Sequence, residues 1–247
     1  MHGPRRAGDP LLQVENLHVA YGKAHVVHGV SFSVNAGEFV VMLGRNGAGK
    51  STILHAISGL VPKRAGRVIF DGVDISRSGS REIVHAGMVQ VLEGHRVFTS
   101  LSVEDNLLVG TYARRTPEIR STLERIYDDF PEIAEKRHQQ ASRLSGGQQQ
   151  ILAVAQGIIA DPRLLILDEP SGGLAPIVVD RILGVATRLA REGLAILLVE
   201  QLVEKALRHA SYGYLLETGA IGGEGTAAEL HDSALLRRIY LGGTEAA

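Results

Sequence analysis

The sequence predicts an α/β fold built on a mainly parallel sheet, and three observations support that prediction. The apolar run at residues 38–43 leads through a glycine-rich segment into helix-compatible residues 51–57. A second apolar run, residues 164–167, ends in the adjacent acids Asp168 and Glu169. Strand and helix patterns alternate again from residue 144 onward. Because such alternation gives parallel strands whose carboxyl ends share one edge, a ligand is expected at that edge.

Length and composition fit one ordinary globular domain. A chain of 247 residues can bury a substantial core, and 45% hydrophobic with 21% charged residues is typical of soluble proteins. The net charge of −1 does not support a nucleic-acid partner, and the absence of cysteine excludes disulfides and thiolate metal sites. No apolar run reaches the length of a membrane span. Residues 1–10 lack an apolar stretch, so we expect a disordered tail there and a single cytoplasmic domain over 11–247.

The elements before residue 100 follow from apolar runs bounded by turn residues. Strands are predicted at 12–14, 26–34, 39–43, 66–70 and 88–92, and helices at 51–57 and 81–86. The pattern changes at about residue 100, where polar helical sequence replaces the β-branched runs. Apolar side chains then recur at helical spacing at Ile119, Leu123, Ile126 and Phe130, which predicts a helical insertion over about 100–143 with this stripe as its core.

Alternation of helices and strands resumes after residue 143. Helices are predicted from 144 through Ala155 and over 177–191, with strands at 164–167 and 195–199. A hairpin turning at Thr218 and Gly219 and a last helix over about 227–240 complete the chain.

The glycine-rich segment fits the phosphate-binding pattern G-x-x-x-x-G-K-[ST]. Glycines let successive backbone N–H groups point inward, and the following helix adds its positive N-terminal dipole. Lys50 would reach the β- and γ-phosphates, and Ser51 would join a Mg²⁺ shell. A chance glycine-rich turn is the alternative, but the flanking strand and helix count against it. The predicted nucleotide-binding residues of this segment are Gly44, Arg45, Asn46, Gly47, Ala48, Gly49, Lys50, Ser51 and Thr52.

The acids after the second apolar run suit nucleotide hydrolysis. A buried strand that delivers carboxylates beside a phosphate loop would let Asp168 hold Mg²⁺ and Glu169 polarise the attacking water. Two exposed acids in a solvated turn are the alternative.

A third motif, Leu144-Ser145-Gly146-Gly147-Gln148, lies shortly before that strand. On physical grounds alone it is a helix start capped by Ser145, with glycines that expose N–H groups. With the other two motifs, it resembles the LSGGQ signature of ABC-type ATPases. The resemblance implies a P-loop NTPase fold with a RecA-like core, an N-terminal antiparallel β region and an inserted α-helical subdomain. It also implies a head-to-tail dimer that sandwiches two ATP molecules, each touched by the partner's equivalents of Ser145, Gly146, Gly147 and Gln148.

Other family positions follow from the same resemblance. Tyr21 stands where an aromatic ring stacks on adenine, although a core aromatic is an alternative interpretation. Glu93 occupies the usual Q-loop glutamine position, where it would assist catalysis and the metal. Gln201 replaces the usual switch histidine, so it can donate an amide hydrogen bond but cannot titrate near neutral pH. Ala175 replaces a frequent aspartate.

These departures together resemble one subfamily, the LivF-type ATP-binding subunits of branched-chain amino acid importers. Glu93, the segment around Leu174 and the Glu200-Gln201 pair carry the likeness. It implies ATP and Mg²⁺ as cofactors, and a second ABC ATPase subunit as partner, in a heterodimer or a homodimer. It further implies two transmembrane permease subunits, a periplasmic solute-binding protein and a peripheral location on the cytoplasmic side of the inner membrane. Importers of urea, amides or aromatic acids and non-transport ABC ATPases stay open as alternatives, whereas a P-loop kinase or GTPase would lack the signature.

Overall fold

The computed structural model of the chain describes residues 10–94, 96–113, 118–233 and 236. The expected tail therefore lies almost entirely outside the described residues, as does the end of the predicted last helix. Within the described ranges the strands are β1 Leu12–Tyr21, β2 Ala24–Val34, β3 Phe39–Leu43, β4 Ala65–Phe70, β5 Val73–Asp74, β6 Met88–Val91, β7 Leu164–Asp168, β8 Ala195–Glu200, β9 Tyr212–Glu217 and β10 Ala220–Thr226. The α-helices are α1 Lys50–Ile57, α2 Ser80–His85, α3 Val103–Gly110, α4 Ile119–Asp129, α5 Pro131–Ala134, α6 Gly146–Ile159, α7 Pro176–Arg191, α8 Val203–His209 and α9 Ala227–His231. Short 3₁₀ helices lie at Thr111–Ala113 and Ala141–Arg143.

The larger sheet has six strands in the order β10-β9-β3-β8-β7-β6. Its neighbours are parallel except for the β9–β10 hairpin. Every residue of β3, β7 and β8 is buried, as expected for central parallel strands covered on both faces. This sheet confirms the predicted mainly parallel α/β core, and it brings the carboxyl ends of β3, β7 and β8 together.

The smaller sheet is antiparallel, in the order β2-β1-β4-β5. Buried and more exposed residues alternate along parts of β1 and β2, so one face packs inward. It confirms the expected N-terminal antiparallel region. The strand β1 is longer than the predicted 12–14, because its pairing with both β2 and β4 extends it to Tyr21.

The segment over 100–143 contains α3, α4 and α5 among its described residues. Its two ends are joined, since Ser102 bridges Gln140 and the N–H of Ala141 donates to the Leu101 carbonyl at 2.9 Å. Of the predicted stripe, Ile126 and Phe130 are fully buried, and Leu123 packs against the same core. The stripe therefore lies at the interior face of α4.

Two elements differ from the sequence prediction near the C-terminus. The helix α8 was not anticipated, because only two of its seven residues, Ala206 and Leu207, are buried and the apolar periodicity is correspondingly weak. The predicted helix over 227–240 is interrupted, since α9 ends at His231. Leu236 is helical again, and the Ser233 hydroxyl accepts its N–H at 3.1 Å, as an N-cap side chain does at a helix start. No helix in the described part of the chain is long and apolar enough to span a membrane.

Candidate active site

The predicted phosphate loop connects β3 to α1 at the carboxyl edge of the large sheet. Gly47 and Gly49 have φ of 78° and 104°, backbone conformations that side-chain-bearing residues rarely adopt. At Gly44 a Cβ would lie only 2.6 Å from the Leu216 carbonyl oxygen. The three glycines therefore satisfy steric requirements of a curled loop, and Ala48 closes it by donating its N–H to the Arg45 carbonyl at 3.1 Å.

The β9–β10 turn supports this loop from behind. The N–H of Gly219 donates to the Ala48 carbonyl at 2.9 Å, and the N–H of His28 donates to the Gly219 carbonyl at 2.8 Å. A Cβ at Gly219 would meet the Val26 carbonyl oxygen at 2.1 Å, so only glycine fits there. The turn therefore links the phosphate loop of the larger sheet to β2 of the antiparallel sheet.

Lys50 is buried within the loop, with 4% of its surface exposed. Its Nζ donates to the carbonyl oxygens of Gly44 at 2.9 Å and Arg45 at 3.2 Å. It also lies 3.2 Å from Glu169 Oε1. A cation held at this place by backbone oxygens and one carboxylate can meet phosphate oxygens that enter the loop.

Asp168 and Ser51 have the donor chemistry for a divalent cation. Ser51 Oγ donates to Asp168 Oδ1 at 3.0 Å, whereas the buried Oδ2 has no hydrogen-bond partner among the described residues. His55 Nε2 lies 3.9 Å from Oδ2. Burial raises the pKa of the Asp168 carboxyl above its usual value, and the negative charges of Glu169 and Glu93 raise this pKa further, against the Ser51 hydrogen bond and His55. An orphaned buried carboxylate oxygen next to a hydroxyl fits Mg²⁺, which binds few protein ligands together with substrate phosphates.

Glu169 lies between the loop lysine and the switch position. Its φ is 45°, unusual for a residue with a side chain, and its N–H donates to the Val199 carbonyl at 2.9 Å. Its Oε1 faces Lys50, and its Oε2 accepts a hydrogen bond from Gln201 Nε2. The structure therefore brings Lys50, Glu169 and Gln201 into one connected group.

Sequence reasoning missed Glu200, the residue before Gln201. It is 2% exposed, and its carboxylate accepts hydrogen bonds from the N–H and the hydroxyl of Ser171 and from the N–H of Gln201. The only signal in the sequence was one acid at the end of an otherwise apolar strand.

Glu93 lies in an exposed turn directly after β6. Its carbonyl accepts a bond from Arg96 Nε at 3.3 Å. Because its charge contributes to the raised pKa of Asp168, Glu93 belongs to the electrostatic surroundings of the site. Tyr21, at the end of β1, is 49% exposed, which argues against its alternative interpretation as a core aromatic.

The segment Ser145 to Gln148 begins α6. Ser145 Oγ accepts the N–H of Gln148, and Gln148 Oε1 in turn accepts the N–H of Ser145, which forms a capping box. Lys136 Nζ adds a bond to the same Oε1 at 2.9 Å. Ser145 and Gly146 remain exposed, and the Cβ of an alanine at Gly147 would meet Val178 at 3.3 Å. The capped helix start thus presents its first residues to the surface.

A family model described as ABC transporter matches residues 27–172, more than half of the chain. The chain belongs to the ABC transporter family. It is an ATP-binding cassette, that is, the ATPase subunit of a transporter. The matched residues include the phosphate loop, the acids Asp168 and Glu169 and the segment Ser145 to Gln148.

Relatives and solved structures agree over almost the whole ABC cassette. The chain is 37% identical to the high-affinity branched-chain amino acid transport ATP-binding protein BraG of Pseudomonas aeruginosa, covering 94% of this chain and 100% of that protein. It is 33% identical to the lipopolysaccharide export system ATP-binding protein LptB of Escherichia coli, with coverage of 94% and 97%. An ATP-binding cassette of an ABC transporter in its ADP conformation superposes with a TM-score of 0.84 at 25% identity, covering 96% of this chain and all of that one. These full-length matches confirm the P-loop cassette fold.

Proposed function

We propose that this ATPase subunit energises the import of branched-chain amino acids. The observation that carries the proposal is the 37% identity with BraG over the full length of that protein. A probable branched-chain amino acid transport ATP-binding protein, LivF of Archaeoglobus fulgidus, is 32% identical over 94% of this chain. Glu93 stands where a glutamine is usual, and Gln201 stands where a histidine is usual. The presence of both replacements supports the same subfamily.

The geometry supports a division of roles among the site residues. The ATP phosphates would bind the N–H groups of residues 44–52 and Lys50, with adenine on the exposed ring of Tyr21. Glu169 would accept a proton from the water that attacks the γ-phosphate, and Gln201 would donate its amide to a γ-phosphate oxygen.

Mg²⁺ would be held by Ser51 and Asp168, with Glu93 acting nearby, and would neutralise phosphate charge. Within the described ranges no group of three or more acid or histidine side chains could hold a metal alone. The protein would therefore supply few of the metal's ligands, which suits a cation that binds together with its nucleotide.

The exposed start of α6 favours a dimeric working form. Ser145 and Gly146 offer backbone N–H groups and a hydroxyl at a helix N-terminus, the natural place for phosphate binding. In the proposed dimer, these groups of one subunit meet the γ-phosphate bound to the loop of the other. The closed state is then favoured only while the γ-phosphate is present, and hydrolysis reopens it.

A groove between the large sheet and the helical segment suits a permease partner. It has a volume of about 380 Å³ and is lined mainly by apolar side chains from the ends of β6, α3 and α6. At and beside it, Phe98, Val109 and Tyr112 are 54%, 41% and 83% exposed. Gln90 also lines this groove, although both polar atoms of its amide are buried. We assign the groove to an apolar cytoplasmic segment of a permease subunit.

Asn106 links the groove to the segment after Glu93. It is fully buried, and its side chain bonds both the N–H and the carbonyl of Phe98, at 2.8 Å and 2.9 Å. Gln156 of α6, the signature helix, donates to the Asn106 carbonyl at 2.9 Å. Movement of the signature would therefore be transmitted to residues 96–98 and to the permease.

The test is uptake of labelled leucine, valine, urea and benzoate in cells whose only copy of this subunit is native or carries Glu169→Gln. Glu169→Gln keeps the shape of the side chain but cannot accept a proton, so the variant should bind ATP without hydrolysing it. We expect uptake of leucine and valine to be lost and uptake of urea and benzoate to be unchanged. The matched control is Glu224→Gln, which changes an exposed acid of β10 and should leave uptake unchanged.

Other outcomes identify what is wrong. Loss of urea or benzoate uptake instead would keep the transporter and refute the branched-chain cargo. Unchanged uptake of all four solutes, with a defect in lipopolysaccharide export, would favour the activity named for LptB.

A further inference from the structure

Glu200 is an acid buried at the centre of the molecule, at the carboxyl end of β8 between β3 and β7. Its carboxylate accepts four hydrogen bonds: from the Ser171 N–H at 3.0 Å, the Ser171 hydroxyl at 2.7 Å, the Gln201 N–H at 3.0 Å and, more weakly, the Leu202 N–H at 3.4 Å. A buried carboxylate lowers the stability of the fold unless its oxygens accept hydrogen bonds. The donors around Glu200 meet this requirement. The fold therefore holds the Glu200 side chain in a fixed position.

The donors come from two different segments of the site. Ser171 lies two residues after Glu169, on the stretch that leads to the exposed residues Gly172 and Gly173. Gln201 is the switch residue, whose side chain bonds Glu169. One carboxylate thus fastens the segment that carries the general base to the segment that carries its amide partner.

The backbone of Glu169 needs such support. Its φ of 45° is a sparsely populated conformation for a residue with a side chain, and such conformations persist only where the surroundings hold them. The Val199 carbonyl holds its N–H, and the next hydrogen bond along the chain that anchors this segment to β8 is that of Ser171 with Glu200.

We propose that Glu200 is a positioning residue for ATP hydrolysis, which holds Glu169 and Gln201 as one rigid unit through Ser171. This proposal rests on the roles given to Glu169 and Gln201 under the proposed function. Glu200 touches neither ATP nor water in it. When a partner subunit displaces the exposed residues after Ser171, the carboxylate carries the displacement to Gln201.

Glu200→Gln tests the proposal with little change of volume. An amide offers one acceptor oxygen, so it cannot serve the N–H groups of both Ser171 and Gln201, whichever way it is turned. We expect the full chain to lose roughly 10- to 100-fold in kcat, since small misplacements of catalytic groups have effects of that size, with KM for ATP changed less than about twofold. Ser171→Ala is the matched control, because it removes only the hydroxyl and keeps both backbone bonds; a loss below about threefold is expected.

A double-mutant cycle with Gln201→Ala separates positioning from general damage. Because the unit that Glu200 holds joins the Gln201 amide to Glu169, Gln201→Ala already breaks it, and Glu200→Gln should then reduce kcat less in the Gln201→Ala background than in the native chain. A full multiplicative loss in both backgrounds would overturn the proposal, as would a kcat within twofold of native for Glu200→Gln alone. If Glu169→Gln itself retained turnover, the proposed function would fail instead, whatever Glu200 does.

Amide hydrogen exchange gives a readout independent of activity. In Glu200→Gln the amides of Ser171 and Gln201 should exchange faster while those of β1 and β4 keep their native rates. The comparison variant Val14→Ala, in the antiparallel sheet, lowers stability without touching the site and should not produce that local pattern. Unchanged protection at both amides would contradict the proposal.

Discussion

In the metal-binding role proposed for it, Asp168 meets two conflicting demands with one side chain. Its carboxylate must be ionised to hold a metal, yet it is 1% exposed and one of its oxygens has no hydrogen-bond partner among the described residues. Burial consequently raises its pKa. An acid whose pKa is higher in the folded chain than in the unfolded one resists ionisation on folding. The free energy of unfolding then falls as pH rises from the unfolded pKa through the folded one, and the loss is complete above both.

Asp168→Asn should therefore stabilise the protein that has no nucleotide while it weakens Mg²⁺–ATP binding. At pH 7 we expect the free energy of unfolding to rise, and the gain to vanish as pH falls below the pKa of an unfolded aspartate, about 4. Urea unfolding at several pH values measures it. Asp180→Asn is the control. Because the Lys205 hydrogen bond lowers the pKa of the Asp180 carboxyl, replacing that carboxyl by an amide should not raise the free energy of unfolding. Equal stability of native and Asp168→Asn at pH 7 would refute the argument.

Sequence and structure agree best at residues whose spacing the chemistry dictates. The positions of Lys50, Asp168 and Glu169 follow from a loop and a strand of fixed length, so the motifs predict them. The role of Glu200 does not follow, because an acid at a strand end has the same pattern whether it is solvated or buried. Likewise, no local rule predicts that Lys50 and Glu169, far apart in the chain, lie 3.2 Å apart.

At the scale of elements, the first turn of α6 combines a structural task with the phosphate-binding task proposed for it. Ser145 caps a fourteen-residue helix and also stands in the signature. Removing the cap costs about 1 kcal/mol in a typical helix, whereas a negative charge in the same place repels phosphate. The two tasks can therefore be separated by substitution.

Ser145→Asp should keep the cap and near-native melting temperature but abolish ATP hydrolysis. Ser145→Ala should lower the free energy of unfolding by about 1 kcal/mol. The matched control Thr226→Ala removes the equivalent cap of α9, with its own Glu229 capping box, and should lower stability without lowering the ATPase rate. Thermal denaturation and phosphate release measure the two effects. An active Ser145→Asp would show that the signature does not meet phosphate.

The sequence predicts long elements with strong periodicity and misses short or weakly amphipathic ones. The sequence predicts the helices α6 and α7 and the strands β3, β7 and β8, because their apolar patterns are long or continuous. It does not predict α8. The break after α9 coincides with the bond between the Ser233 hydroxyl and the Leu236 N–H, which periodicity does not register.

At the scale of the whole molecule, the groove beside α3 and α6 lies where the large sheet meets the helical segment. A partner seated there would contact both bodies at once. Because Asn106 and Gln156 join the groove to α6, docking and nucleotide state are expected to influence each other.

Tyr112→Ser together with Phe98→Ser should reduce solute uptake at least about tenfold, as expected when central aromatic contacts of an interface are removed. ATP affinity of the purified subunit should stay within twofold of native, because neither side chain lies at the phosphate loop. Val73→Ser, an equally accessible apolar residue of β5 on the antiparallel sheet, is the control. Uptake equal to that of this control would show that the permease docks elsewhere.

The glycine turn behind the phosphate loop has a consequence for affinity. Gly219 fastens the loop to two sheets through bonds within the chain. A loop whose conformation is fixed by such bonds loses little backbone entropy when a ligand binds to it, because folding has already removed that freedom. Tight binding can thus be reached with modest contacts, and the same stiffness means that the nucleotide changes the distance between subunits more readily than it changes the shape of the loop that holds it.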